Sequence, residues 1–306
     1  MSFEIEYSRI KNTVKDDLNF LEQGIEKIFT NKNPLEQDLA QYLTAPAKRL
    51  RPLLGILFLK CLFNEIKPAQ RDVLLAVELI HNATLIHDDV IDKADKRRNQ
   101  EALNKKFDDN LAVVAGDFLL SVAMEKVISA GSIEVIKVFT SALKTTCLGE
   151  INQYFSKFNI TSIDKYIEKS KEKTAFLFQM AVLGALMVDE NVSEDLKQVA
   201  IDFSQNFGIA FQIRDDLRNV LNFNSSSSDI NSGIYTAPVI FAYEENKNIL
   251  KEDDVQSALK MTQGIEKAKD LMDNYFNKSL SAIEKFEKSV YKESIVELIG
   301  LLRVNL

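Results

Sequence analysis

The chain is poor in the residues that end or bend secondary structure. Its 306 residues include only 10 glycines and 5 prolines, below the average usage of about 7% and 5%. Few such residues mean few tight turns, so the sequence favours long helices over many short strands. The two cysteines, Cys61 and Cys147, lie in apolar helical patterns. They predict two buried small side chains and no disulfide framework.

Other absences bear on location and partners. The N-terminal stretch MSFEIEYSRIKNTVKDD has no basic segment followed by an apolar run, so no signal peptide is predicted. No stretch reaches the roughly 18 consecutive apolar residues of a membrane span, and we expect a cytoplasmic protein. The net charge of −7 argues against nucleic acid as a partner.

Apolar residues recur at helical spacing along most of the chain. The pattern predicts helices over residues 3–30, 35–44, 68–93, 111–130, 133–157, 162–188, 194–221, 236–248, 251–262, 264–289 and 292–304. We find no strand, no internal repeat and no linker between domains. The prediction is one all-α domain over residues 1–306, with long helices stacked around a central cavity.

Acidic residues cluster at the end of the central predicted helix, in HNATLIHDDVIDKADKRR (residues 81–98). Asp88 and Asp92 are four apart and share a helix face, with Asp95 one turn further and His81 and Thr84 on roughly the same stripe. Like charges at this spacing cost a helix about a few tenths of a kcal/mol. The cluster therefore suggests a bound cation, and Mg²⁺ is often held by one or two carboxylates plus substrate phosphates. On its own, the pattern is more typical of a solvated acidic surface.

Basic residues stand at two positions that could hold a diphosphate. Arg97 and Arg98 follow the acidic cluster, and guanidinium forks suit diphosphate oxygens. Lys48 and Arg51, in KRLRP, share a face at the mouth of an apolar helix, with Pro52 in its first turn. The alternative for this second pair is a solvated helix start.

A second polar cluster interrupts the apolar helix at residues 194–221. Gln212, Asp215, Asp216 and Asn219 are three or four apart and fall on one stripe. The segment after it, residues 222–235, is rich in serine and predicts either a lid or a simple flexible connector.

Four motifs together resemble the trans-isoprenyl diphosphate synthases, the polyprenyl synthetase family. They are KRLRP (48–52), IHDDVID (86–92) followed by the arginine pair, KTA (173–175) and FQIRDD (211–216), in the family's order. The resemblance implies a helical bundle of the isoprenoid-synthase type and a usual homodimer. It also implies condensation of isopentenyl diphosphate with an allylic diphosphate.

The resemblance implies roles for individual residues. Asp88 and Asp92 would bind Mg²⁺ from one side and Asp215 from the other, and Thr174 and Gln212 would place oxygens near the allylic cation. The residues implied for isopentenyl diphosphate are Lys48, Arg51, His81 and Arg98. Those implied for the allylic diphosphate are Arg97 and Lys173.

Two small residues, Ala83 and Thr84, precede Asp88 by about one helical turn. Short-chain members of the family place aromatic residues there, and each deeper turn adds about 5.4 Å, of the order of one isoprene unit. Small residues therefore favour a product beyond about twenty carbons, in the heptaprenyl to nonaprenyl range. Another helix could supply the floor instead, through Phe118, Met124 or Phe178.

Three departures from the family pattern keep other functions open. Pro46 and Ala47 replace the usual paired glycines before KRLRP, Asn219 replaces the last acid of the second motif, and Gly233 is followed by Ile234 where a lysine is common. The alternatives are a short-chain farnesyl or geranylgeranyl synthase, a regulatory subunit of a heteromeric synthase and, more distantly, a terpene cyclase. A lipid product makes transient membrane contact plausible, although no strongly basic amphipathic helix supports it.

Overall fold

The computed structural model describes residues 3–29, 33–97, 100–221, 230–251 and 255–306. Its α-helices in chain order are α1 (Phe3–Asn12), α2 (Lys15–Glu26), α3 (Pro34–Thr44), α4 (Leu50–Lys60), α5 (Pro68–Ile91), α6 (Leu103–Lys106), α7 (Asp109–Ser129), α8 (Ile133–Ser156), α9 (Ile163–Ser170), α10 (Phe176–Gln179), α11 (Glu194–Leu221), α12 (Ala237–Glu245), α13 (Val255–Lys260), α14 (Gly264–Ala282) and α15 (Val290–Val304). The predicted all-α class is confirmed.

The remaining elements are short. A first π-helical segment spans Lys171–Ala175 and a second spans Met180–Gly184, and a 3₁₀ turn covers Ile249–Lys251. Strands β1 (Lys96–Arg97) and β2 (Gln100–Glu101) pair antiparallel, with Lys96 opposite Glu101. The prediction that the chain has no strand is therefore wrong at this hairpin. No helix in the described ranges is long and apolar enough to cross a membrane.

Sequence periodicity locates most helices but misses their interruptions. The predicted helix 3–30 breaks at Thr13 and Val14 into α1 and α2, and the predicted helix 162–188 contains both π-helical segments. Periodicity averages over many residues, so it does not register one inserted residue. The prediction that both cysteines are buried is also wrong, because Cys147 is exposed and Cys61 is only half-buried.

The chain forms two compact units. The N-terminal unit comprises Lys11–Phe139 and Met180–Val192, and the C-terminal unit comprises Met1–Ile10, Thr140–Gln179 and Ser193–Leu306. That residues 1–306 act as one domain stays a prediction.

Helix α5 is the centre of the N-terminal unit, and every residue from Val73 to Ile80 is buried. It packs along α7, where Gly116 faces the ring of His87 so closely that any side chain would collide with it. Gly55 of α4 has a similar role, since an added Cβ would lie 2.5 Å from the carbonyl oxygen of Ala181.

Helix α11 is the centre of the C-terminal unit and packs against α14. Phe207 of α11 lies between Phe178 and Phe276, with ring centroids 5.0 and 5.7 Å away. Arg214 of α11 is buried and donates hydrogen bonds to the carbonyl oxygens of Leu302 (2.9 Å) and Asn305 (2.7 Å). These bonds satisfy carbonyls that the end of α15 would otherwise leave without partners.

Candidate active site

The first acidic cluster lies where α5 ends. Asp88 is half-buried in the last turn, and Asp92 is the exposed residue at the helix C-terminus. Lys93 adopts a left-handed conformation (φ 52°) that stops the helix, as residues at helix ends commonly do. Asp95 therefore does not continue the stripe as predicted, and its carboxylate lies 3.1 Å from Lys105 instead.

The neighbouring acid, Asp89, is buried and has a cationic partner. Arg97 Nε lies 2.9 and 3.2 Å from the two carboxylate oxygens of Asp89, and Asn104 donates to its carbonyl oxygen. Burial alone would lower the pKa of the Arg97 guanidinium, but the hydrogen bond and charge of Asp89 outweigh burial and raise that pKa. The predicted diphosphate ligand Arg97 thus pairs with Asp89, while Arg98 lies outside the described residues.

Arg49, which the sequence did not single out, anchors the KRLRP motif. It is in a left-handed conformation (φ 55°) at the start of α4, and its buried guanidinium bonds Glu22 at 2.9 Å and Glu78 at 2.8 Å. It also donates to the carbonyl oxygen of Leu43.

Lys48 and Arg51 flank this anchor in sequence. Lys48 is exposed and Arg51 is half-buried. Because Arg49 ties the connection between α3 and α4 to the buried Glu78 of α5, it fixes the backbone from which both predicted diphosphate ligands extend.

Two residues predicted to control product length lie one turn before Asp88. Ala83 is fully buried, and Thr84 is half-buried and donates its hydroxyl to the carbonyl oxygen of His81 at 2.8 Å. His81 is itself half-buried. Ala83 and Thr84 therefore differ in solvent exposure, and their role in product length stays a prediction.

In the C-terminal unit, the first π-helical segment carries Lys173 and Thr174. Gly208 of α11 faces this segment without a side chain, and an added Cβ would collide with the backbone of Ala175. This close approach brings Thr174 Oγ1 to 2.5 Å from Gln212 Oε1. Single π turns occur frequently at functional sites, and the structure joins two residues predicted to act together.

Gln212 continues the contact to Asp216 in the next turn of α11. Its Nε2 donates to Asp216 Oδ1 at 2.9 Å, and Tyr166 of α9 donates its hydroxyl to Asp216 Oδ2 at 2.6 Å. Burial, followed by the charge of Asp216, raises the pKa of Tyr166 well above its usual value. Asp215 is half-buried, with an oxygen 3.1 Å from Arg214 Nη1. Sequence patterns gave no signal for Tyr166, which is 50 residues from its partner.

Lys173 pairs with Glu150, an acid in the GEINQ stretch (residues 149–153) of α8. Its Nζ bonds the carboxylate of Glu150, whose other oxygen is 3.1 Å away. Gln153 also donates to Glu150, at 3.2 Å. The predicted ligand of the allylic diphosphate is thus held beside α8 by Glu150, which belongs to the same unit.

No group of three or more His, Cys, Asp or Glu side chains that could hold a metal ion occurs among the residues described. In proteins, Mg²⁺ is often held by one or two carboxylates together with substrate phosphates. Asp88 and Asp92, one turn apart with an exposed member, are suitable donors for such an ion.

Comparison with known proteins gives a direct assignment. The family model described as Polyprenyl synthetase matches residues 33–275, most of the 306-residue chain. The chain belongs to the polyprenyl synthetase family. A protein named prenyl transferase from Porphyra purpurea is 33% identical over 98% of this chain and 98% of its own.

Two further relatives of this polyprenyl synthetase carry more specific names. Solanesyl-diphosphate synthase 1, mitochondrial, from Oryza sativa subsp. japonica is 31% identical over 95% of this chain and 76% of its own. The crystal structure of heptaprenyl diphosphate synthase from Staphylococcus aureus has 26% identity and a TM-score of 0.88, covering 95% of this chain and 98% of that one. The predicted isoprenoid-synthase fold and the prenyltransferase class are confirmed.

One departure from the polyprenyl synthetase pattern lies beside a cavity of the C-terminal unit. Ile234 lines this space of about 280 Å³, together with Lys165 and Lys169 of α9. Gly233 has a positive φ of 74° and accepts a 2.8 Å hydrogen bond from the backbone of Phe158. The two lysines that line this cavity are therefore supplied by α9 and not by position 234. The predicted lid falls mostly on residues 222–229, outside the described residues.

Proposed function

We propose that this polyprenyl synthetase condenses isopentenyl diphosphate with an allylic diphosphate, head to tail and in the trans configuration, and releases diphosphate. The observation that carries the proposal is the contact between Thr174 and Gln212, two residues from separate motifs whose oxygens suit an allylic cation. All four motifs of the resemblance are present in the sequence. Regulatory subunits typically lack the first acidic cluster, so that alternative is weaker.

Asp88, Asp92 and Asp215 would hold Mg²⁺. When bound, this metal would neutralise the leaving diphosphate as the carbon–oxygen bond breaks. Lys48, Arg51, His81 and Arg98 are the proposed ligands of isopentenyl diphosphate. Arg97 and Lys173 are proposed for the allylic diphosphate, and each would exchange its present carboxylate partner for phosphate oxygens.

The carbon chemistry needs no side-chain nucleophile. The alkene of isopentenyl diphosphate attacks the allylic carbon, a new carbon–carbon bond forms, and the released diphosphate takes the proton that restores the double bond. Thr174 and Gln212 would face the cationic carbon. The reaction needs a site that excludes water, because water would otherwise trap the cation.

We further propose a long-chain product. The names of the rice and Staphylococcus aureus relatives and the small Ala83 support it. Ala83→Phe tests it, because a product channel at this position would accept the ring while the product shortens. If Ala83 instead packs against protein, the ring would overpack the core at a cost of about 1–3 kcal/mol and leave product length unchanged.

The deciding assay supplies purified chain with farnesyl diphosphate, labelled isopentenyl diphosphate and Mg²⁺, and separates the dephosphorylated products by length. We expect a product beyond about twenty carbons. A fifteen- or twenty-carbon product from shorter starters would support the short-chain alternative. Absence of product with every starter, restored on adding a partner subunit and unaffected by Asp88→Ala, would support the regulatory alternative.

The proposed assembly is a homodimer. Three apolar residues of α7 are exposed in the single chain, namely Val113, Val114 and Phe118, and contiguous apolar patches often mark interfaces. Val114→Glu should shift the chain from dimer to monomer in analytical ultracentrifugation. A wild-type monomer at micromolar concentration would contradict the proposal. A cytoplasmic location and transient membrane contact stay predictions.

A further inference from the structure

Three consecutive hydrogen bonds in the C-terminal unit form one chain of fixed direction. They join Tyr166 to Asp216 (2.6 Å), Gln212 to Asp216 (2.9 Å) and Thr174 to Gln212 (2.5 Å). Tyr166, Asp216 and Thr174 are buried, and Gln212 is half-buried. Water therefore competes little for these donors and acceptors.

The chemistry of each group sets the direction of the chain. An ionised aspartate only accepts hydrogen bonds, so Asp216 accepts one hydrogen bond from the Tyr166 hydroxyl and one from the Gln212 amide. The Gln212 nitrogen then faces Asp216, and its carbonyl oxygen faces Thr174. Because a carbonyl oxygen only accepts, Thr174 must donate its single hydroxyl proton to Gln212.

This direction determines what Thr174 offers to a substrate. With its proton committed to Gln212, the hydroxyl oxygen presents lone pairs, which attract a positive charge. In the opposite direction, the Gln212 amide would donate to Thr174 and the hydroxyl proton would turn outwards, which would disfavour a cation. One hydroxyl thus has opposite electrostatic effects in the two arrangements.

We propose that Tyr166 and Asp216 are positioning residues that set this direction, so that Thr174 presents lone pairs to the allylic cation. The proposal rests on the proposed function and assigns Asp216 a part distinct from that of Asp215. The packing supports a fixed geometry, because the Ser170 hydroxyl bonds the carbonyl oxygen of Tyr166 at 2.8 Å. Gly208 holds the π-helical segment against α11.

Two substitutions disrupt this chain of hydrogen bonds in different ways. Tyr166→Phe removes one donor and loosens Asp216 without reversing any bond. Asp216→Asn introduces an N–H donor, so the Gln212 amide can turn over and donate to Thr174. If the direction matters, Asp216→Asn has the larger effect, and both variants lower kcat more than they raise KM.

Binding of two non-reacting analogues of farnesyl diphosphate, measured by calorimetry with Mg²⁺, tests the charge preference. One analogue carries an ammonium nitrogen at the cationic position, and the other is the thiolodiphosphate, which is neutral there. The charge preference is the Kd of the neutral analogue divided by the Kd of the ammonium analogue. We expect this ratio to fall roughly tenfold in Asp216→Asn and less in Tyr166→Phe, because the ammonium analogue binds more weakly while the neutral analogue binds as before. Thr174→Val should lose the preference, and Thr174→Ser should keep it.

Tyr275→Phe is the matched control, since it removes the hydroxyl of a half-buried tyrosine in the same unit that takes no part in these three hydrogen bonds. It should leave the ratio unchanged. Equal weakening of both analogues in Tyr166→Phe and Asp216→Asn would show a merely structural role and overturn the proposal. If the wild type makes product but the variants keep its preference, this inference fails and the proposed function stands. A wild type that binds neither analogue and makes no product would overturn both.

Discussion

The two acidic doublets, Asp88–Asp89 and Asp215–Asp216, read alike in sequence but are built differently. In each, the second aspartate is buried and bonded within the protein, while the first is half-buried. Asp89 has a cationic partner, Arg97, whereas Asp216 has the neutral donors Tyr166 and Gln212. The comparison indicates that each doublet combines one acid for the site with one acid that holds the surrounding structure.

The difference between the partners has an electrostatic consequence. Arg97 neutralises the charge of Asp89, and Arg49 similarly neutralises Glu78 in the same unit. Tyr166 and Gln212 are neutral donors, so they orient the carboxylate of Asp216 without contributing a positive charge. Buried acids of the N-terminal unit, Asp89 and Glu78, thus bond arginines, whereas the hydrogen bonds described for Asp216 come from neutral groups.

The largest expected effect separates the members of the first doublet. Asp88→Asn should lower kcat by roughly a thousandfold, about 4 kcal/mol, with the free energy of unfolding within about 0.5 kcal/mol of wild type. Asp89→Asn should lower the free energy of unfolding by about 2–3 kcal/mol, because a buried partner of Arg97 loses its charge. Steady-state kinetics measures kcat, and urea unfolding measures the free energy of unfolding, for each variant. Equal destabilisation by the two substitutions would contradict the division.

Arg49→Met tests the reliance of the N-terminal unit on buried charge. The substitution leaves Glu78, which is 2% exposed, without its cation, and breaking a buried pair costs about 3–5 kcal/mol. Urea unfolding provides the measurement. The surface pair of Lys137 and Glu134 is the control, since Lys137→Met should cost under about 1 kcal/mol. Similar values for the two variants would refute the argument.

Tyr166→Phe should destabilise the protein less than Arg49→Met. It removes one hydrogen bond to a charged acceptor, which is worth about 1.5–3 kcal/mol. Unlike Arg49→Met, it does not remove a cation from a buried acid. Thermal unfolding of both variants in one buffer makes the comparison. A larger loss for Tyr166→Phe would reverse the ranking of the two units.

The smallest expected effect is in alkaline solution. The folded-state pKa of Tyr166 is raised, so above the unfolded value of about 10 the unfolded chain loses this proton first. Stability contributed by Tyr166 is therefore complete below about pH 10 and declines as pH rises further. The stability advantage of wild type over Tyr166→Phe should shrink on raising the pH from about 9 to 11. An advantage that grows over this range would have the wrong sign.

Much of the fold and of the site follows from the sequence. Periodicity placed α5 and α11 within two residues of their observed ends, because long apolar faces and polar interruptions are local properties. The resemblance to the family's motifs likewise implied a shared role for Thr174 and Gln212, which the structure brings into contact.

What the sequence could not provide depends on partners far along the chain. Arg49 lies within a recognised basic motif, yet only Glu22 and Glu78 make it a buried anchor. Tyr166 acquires its importance through Asp216 alone. Helix periodicity also carried the acidic stripe to Asp95, although the left-handed Lys93 ends it earlier.

The π-helical turn at Lys171–Ala175 has a genetic consequence. Such a turn is an α-helix with one additional residue, and each residue rotates an α-helix by about 100°. Removing any one residue here would let the helix close into regular form and rotate Thr174 relative to α10, even if every side chain with a chemical role remained. The alignment of this site is therefore encoded by the number of codons between Ser170 and Phe176 as well as by their identity. An in-frame deletion would damage it where most substitutions would not.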